Sequence, residues 1–249
     1  MIIAVLALIL CLLMAYVGNE RGVRAFFAIV KNSLVLVASI FLISKGLNVY
    51  AVTAVCVALF LIITLYNQNG YNVKTRAAMV STVAVLAVLS VLLAVLIPMF
   101  DIGGFGELYS YEEDIVFLNH RIGIDAYQLW FAAILLGLLG ALTDTSLSVS
   151  TAVFEVHANA PERPMEELYQ SGIHVGKDII GTMINTLVHA EFGASFFVWA
   201  IFVKQGTSLP QLLNSKSFLQ ASFLILIADI GCLLVIPLTS AIVSRKLKA

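Results

Sequence analysis

Seven long runs of apolar residues, separated by short polar stretches, dominate the chain: 1–18, 26–44, 50–66, 77–98, 127–153, 179–203 and 217–243. About 20 apolar residues in a helix cross the hydrocarbon of a bilayer, and each run is close to that length. The pattern predicts an all-α fold: a polytopic transmembrane helix bundle of about seven spans, forming a single transmembrane domain over 1–249. The runs hold only four charges, Lys31, Asp144, Glu191 and Asp229, while the polar stretches between them hold the other 25.

Composition sharpens this picture. With 61% hydrophobic residues, 12% charged residues and a mean hydropathy of +1.00, the chain lies far from the usual balance of a water-soluble domain. A net charge of −1 and the lack of a basic tail give no indication of nucleic-acid binding. Cys11, Cys56 and Cys232 all fall inside apolar runs without motif spacing, so they read as small core residues rather than a disulfide framework or zinc site. Residues 1–18 lack a basic leading region and a clear cleavage site, and are expected to be a retained first helix.

Charge placement predicts orientation. Lys and Arg resist translocation. Arg21, Arg24, Lys74, Arg76, Arg163, Lys177, Arg245, Lys246 and Lys248 fall on one set of alternate loops and the tail, against Lys45, Arg121, Lys204 and Lys216 on the other. Seven spans then place the N-terminus outside and the C-terminus in the cytoplasm. Lys31 sits near the start of its run, where its stem can snorkel to the more basic side. The stretch 101–125 is glycine-rich and then acidic (Glu107, Glu112, Glu113, Asp114, Asp125) and reads as a solvated outer loop. Between spans 5 and 6, Pro164 followed by Met165, Leu168, Tyr169 and Ile173 at helical spacing predicts a short cytoplasmic interfacial helix.

Two polar stripes carry the candidate chemistry. In the fifth run Asp144, Ser148, Thr151 and Glu155 fall at i, i+4, i+7 and i+11, one helix face over about 16 Å of rise. Asp178, Thr182, Asn185 and His189 repeat the same offsets in the sixth. The two helices run in opposite directions, so matched ends would pair Glu155 with Asp178 and Asp144 with His189. This expectation requires the stripes to face each other, with Gly137, Gly140, Ala141, Gly176, Gly181 and Gly193 permitting close approach. Simpler readings stand beside it. Ser and Thr bond back to the i−4 carbonyl in many membrane helices, Asp178 can cap a helix N-terminus, and a single histidine is commonly a packing residue. Asp144 and Asp229 resist such readings, because an acid near the bilayer midplane costs about 2.5–3.5 kcal/mol on insertion scales. Both should face the bundle interior or a water-filled cavity.

These stretches resemble the YibE/F-like family of bacterial integral membrane proteins. Gly140 to Glu155 (GALTDTSLSVSTAVFE) is similar to one family helix, and Ser171 to Leu187 (SGIHVGKDIIGTMINTL) to its longer signature. The likeness is drawn over roughly residues 80–245, and it is to the shorter, YibF-type member. It carries over Asp144, Glu155, Lys177, Asp178, Gly181, Thr182, Asn185 and Thr186 as motif residues, whereas His189 and Glu191 depart from the apolar run expected after the signature. It implies a multi-pass membrane protein with a YibE-like membrane partner. The further expectations are a plasma-membrane location, self-association as the alternative to that partner, and no cofactor.

Three functions compete at this stage. In an ion-coupled secondary transporter, Asp144 binds and releases a proton or cation. The hydroxyls and Asn185 then line its path, Glu155 and Asp178 form the cytoplasmic exit, and His189 and Asp229 are further pathway candidates. In a non-catalytic subunit the stripes are polar contacts between helices. In an intramembrane metal-dependent enzyme the carboxylates hold a hard cation, although no zinc-type spacing, nucleophile elbow or phosphate-binding loop is present.

Overall fold

The computed structural model describes residues 2–104 and 125–248. Its helices are α1 (Ile2–Ser44), α2 (Val49–Leu61), α3 (Val73–Met99), α4 (Ala126–Asn159), α5 (Met165–Lys204), the short α6 (Leu209–Leu213) and α7 (Lys216–Lys248). α2 runs on into a π-helical stretch, Ile62–Gln68. No strand is present among the described residues. Polar side chains set several starts: Asn48 accepts from the Ala51 amide, Asn72 and Thr75 form a reciprocal capping box, and Asp125 accepts from the Tyr127 amide. These bonds satisfy amides that a helix N-terminus leaves without partners.

α7 packs against α3, α4 and α5, and α3, α4 and α5 complete the core around it. Leu89 and Leu93 of α3, Leu138 and Leu142 of α4, and Cys232 and Val235 of α7 are all fully buried there. A seam of hydroxyls runs through the same core. Thr82 Oγ1 lies 2.9 Å from Ser146 Oγ, Thr239 donates to Ser81 Oγ at 2.7 Å, and Thr145 donates to Cys232 Sγ at 3.7 Å. α1 and α2 pack together, and α2 packs against the other side of α4.

Five helices are long and apolar enough to cross a membrane: α1, α2 with its π-helical extension, α3, α4 and α7. Two differences separate this count from the seven expected runs. The sixth run, 179–203, lies in α5, which is not among the five. The first two runs both lie in α1, which bends sharply at Asn19 (φ 50°, ψ −138°). There the Met14 carbonyl comes so close to Gly22 that a Cβ at that position would overlap it. In a straight helix residues eight apart are separated by about 12 Å, so this contact requires the two arms to fold toward each other.

A second correction concerns the interfacial helix expected between spans 5 and 6. No separate element exists there. α5 runs unbroken for 40 residues from its cap at Pro164 to Lys204. Its glycines do not interrupt it because they serve packing: a Cβ on Gly172 would overlap Ser240, and one on Gly176 would overlap Ile236, both on α7. The close approach that glycine permits is therefore mainly between α5 and α7. Gly140, Gly181 and Gly193 have nothing within 4 Å of their Cβ positions. Of the expected acidic loop, Glu107, Glu112, Glu113 and Asp114 lie outside the described residues, and Asp125 is the α4 cap.

Candidate functional site

The two polar stripes do not face each other. Leu142, Ser146, Val149 and Val153 are among the fully buried positions of α4. Asp144, Ser148, Thr151 and Glu155 each follow one of these by two residues, which is about 200° around the helix. The stripe therefore lies on the side of α4 turned away from the α3–α7 core, with Asp144, Ser148 and Glu155 exposed and Thr151 half-buried. α5 repeats the arrangement. Ile180, Met183 and Leu187 pack against the core, and Thr182, Asn185 and His189 follow them by two residues on an exposed face.

Several groups of the α5 face bond within the helix. Thr182 donates to the Ile179 carbonyl and Thr186 to the Thr182 carbonyl, both at 2.8 Å, and His189 Nδ1 meets the Asn185 carbonyl at 2.8 Å. Asp178 lies 4.0 Å from His174 Nε2, one turn away on the same exposed surface. It is not a cap, because α5 begins at Met165. No hydrogen bond or ion pair joins the stripes among the described residues, so Asp144 and His189 are not partners.

Asp144 opens instead onto a cavity of about 430 Å³ between α1, α2 and α4. Its walls are apolar except for a small set that includes Asn32 and Ser33 of α1, Thr64 and Gln68 of the π-helical stretch, and Thr143 and Asp144 of α4. Asn32 Nδ2 donates to Thr64 Oγ1 at 3.0 Å, and Asn32 Oδ1 is buried with no hydrogen-bond partner. An unsatisfied buried polar atom costs about 1–3 kcal/mol. Lys31 reaches down to Asn67 Oδ1 at 3.1 Å, consistent with a stem extended toward the polar end of the bundle.

A second cavity, of about 400 Å³, lies where α1 bends. Thr151 of the α4 stripe lines it together with Arg21, Arg24 and Lys74, and Gln68 is a wall of both cavities. The α4 stripe thus passes from the Asp144 cavity to a strongly basic one. The wider π-helical turn at Ile62–Gln68 presents Thr64 and Gln68 to this line. Such stretches occur frequently at functional sites.

Asp229 is half-buried on α7, and its Oδ1 is buried without a partner among the described residues. Cys232 lies one turn further along α7 and accepts from Thr145, the neighbour of Asp144. Asp144 and Asp229 therefore lie at a similar level of the bundle. All three cysteines are free. Among the described residues no group of three His, Cys, Asp or Glu side chains is placed to hold a metal ion.

Asn32, Thr64 and Gln68 escaped the sequence reading. Their signal was the polar Lys31-Asn32-Ser33 triplet inside an apolar run and the run of polar residues closing the third one. Neither has helical spacing to draw attention to it, since the set is assembled from three elements.

Long apolar helices packed around a hydroxyl-bearing core, with an acid opening into a cavity between them, define a multi-pass helical membrane protein. The family model for YibE/F-like proteins matches residues 6–249, nearly the whole chain, and the chain belongs to that family. No curated protein and no solved structure matches it.

Proposed function

We propose that the chain is a seven-span plasma-membrane permease, a single transmembrane domain in which Asp144 binds and releases a coupling proton or cation. The observation that carries this reading is the cavity at Asp144. Asp144, within the apolar run of α4, borders the cavity between α1, α2 and α4 beside an Asn32 oxygen without a partner. A mid-membrane acid bordering such a space is a group that a permeating ion meets. Ser148 and Thr151 continue the line toward the basic end, and Glu155 follows Thr151 by one turn of α4. Asp229 is a second protonatable group at the same level. The seven crossings follow when the two arms of α1 each span and α5 spans with them. The positive-inside rule then puts the end bearing Arg21, Lys74 and Lys248 in the cytoplasm.

Cysteine accessibility tests it. With native cysteines removed, single cysteines at 144, 148 and 151 should react with a charged, membrane-impermeant thiol reagent from the cytoplasmic side. Labelling at 144 only by a lipid-soluble reagent would remove the reading. In cells, Asp144→Asn should abolish transport at unchanged membrane abundance, and normal flux in that variant would exclude carboxylate coupling.

A second reading is favoured by the outward α5 stripe. Asp178, Thr182, Asn185 and His189 are exposed on a helix of a membrane bundle, and polar groups in this position call for something other than acyl chains. On this reading they meet a second membrane chain, a YibE-like partner or another copy, and contribute to a pathway only in that assembly.

A further inference from the structure

We propose that the cavity at the α1 bend is a binding site for a phosphate-bearing anion. Arg21 and Arg24 reach it from α1, and Lys74 from the first turn of α3. No carboxylate lines it. The two ion pairs among the described residues are His174–Asp178 and Asp101–Lys216, so none of the three cations is neutralised by one. Arg24 Nε meets only the Glu20 carbonyl, at 3.4 Å. Lys74 Nζ rests over the Phe154 ring at 5.0 Å, a contact that orients an ammonium without cancelling its charge.

Three like charges lining one cavity repel each other, and a multiply charged anion between them relieves that repulsion. The donor chemistry narrows the class. Two guanidinium forks match phosphate oxygens in pairs of parallel hydrogen bonds, and a lysine adds a compact positive charge. The bend at Asn19 and the close approach at Gly22 bring the segment that carries both arginines to this corner. Gln68 and Thr151 supply neutral polar groups on the far walls. The assignment does not depend on Asp144 carrying a proton.

The phosphate can belong to a free solute or to a phospholipid headgroup, and one set of measurements separates them. The full chain, purified in neutral detergent, is titrated with inorganic phosphate by calorimetry. In parallel it is reconstituted in nanodiscs of phosphatidylcholine with or without phosphatidylglycerol, and retained lipid is read by native mass spectrometry. Saturable phosphate binding that weakens at least tenfold in R21Q/R24Q, and is unchanged in R245Q, supports a solute site. Retention of one or two phosphatidylglycerol molecules that is lost in R21Q/R24Q but not in R245Q supports a headgroup site.

Absence of both, or equal losses in R245Q, overturns the proposal in favour of diffuse surface charge. Should the double variant fail to fold, the wild-type chain still answers. Phosphate or phosphatidylglycerol should protect Lys74 from an amine-acylating reagent at least threefold more than Lys177, read by peptide mass spectrometry. Equal protection of the two lysines overturns it.

Discussion

Asp101 joins three elements at the end of the bundle opposite the basic cavity. The chain turns there with φ 49°. Tyr127 of α4 donates to Asp101 Oδ1 at 2.5 Å, and Lys216 of α7 lies 3.5 Å from Oδ2. Beside it Trp130 donates to the Gly104 carbonyl at 2.7 Å, and Gln220 to the Ile102 carbonyl at 2.8 Å. The Tyr127 hydroxyl first, and then the Lys216 charge, hold the Asp101 carboxyl below its ordinary value of 3.8. A carboxylate lowered in the folded state stabilises fully above its unfolded value, and loses that contribution as acid titrates it through the lower folded value. The latch should therefore be constant at neutral pH and weaken only below about pH 4. Asp101→Asn is expected to speed amide exchange at 101–102 at pH 7. Wild type should approach the variant's relative protection near pH 3. Equal protection in the two proteins at neutral pH would refute the latch.

At the scale of the element, two glycine environments on α5 make a controlled comparison. Gly176→Leu forces a side chain into Ile236 of α7, and overpacking of this kind costs about 1–3 kcal/mol or more. Gly181 has open space at its Cβ position, so Gly181→Leu should change stability by no more than about 0.5 kcal/mol apart from its gain in helix propensity. Thermal unfolding in detergent should separate the two variants, and similar melting temperatures would contradict the α5–α7 contact. The same helix marks how far spacing could be read. A polar series at i, i+4, i+7 and i+11 does identify one face, and both stripes are single faces here. Spacing is silent on which neighbour that face meets, because a face and its opposite have the same period. On α4 the hydroxyls that pack in the core are Thr145, Ser146 and Ser150, interleaved in sequence with the stripe that turns away.

At the scale of the whole molecule, the helices alternate direction and sort their charged ends. Lys74 meets Phe154, and Lys248 donates to the Pro161 carbonyl at 2.6 Å, which brings the loops flanking α3 and α4 and the C-terminal end of α7 together. Asp101, Tyr127 and Lys216 meet at the other end. What this single chain leaves open is the α5 face. Replacing Thr182 by Val and Asn185 by Leu should dissociate a complex formed through that face, seen as loss of the larger species on native gels of membrane extracts. An unchanged profile with full activity would mean that the stripe faces lipid.

The amino-acid sequence by itself determined the helical membrane character, the helix-forming runs and the family motif around Asp144 and Asp178. These follow from local properties: the apolar length needed to cross a bilayer, charges confined to the ends, and helical period. Only the tertiary structure decided that Asp144 looks toward α1 and α2, that α5 is one continuous helix packed through Gly172 and Gly176 onto α7, and that Arg21, Arg24 and Lys74 share a cavity. Each of these depends on the rotation of a helix about its axis and on the sharp bend at Asn19. Those are settled by side-chain packing between segments far apart in the chain, where local pattern carries no information.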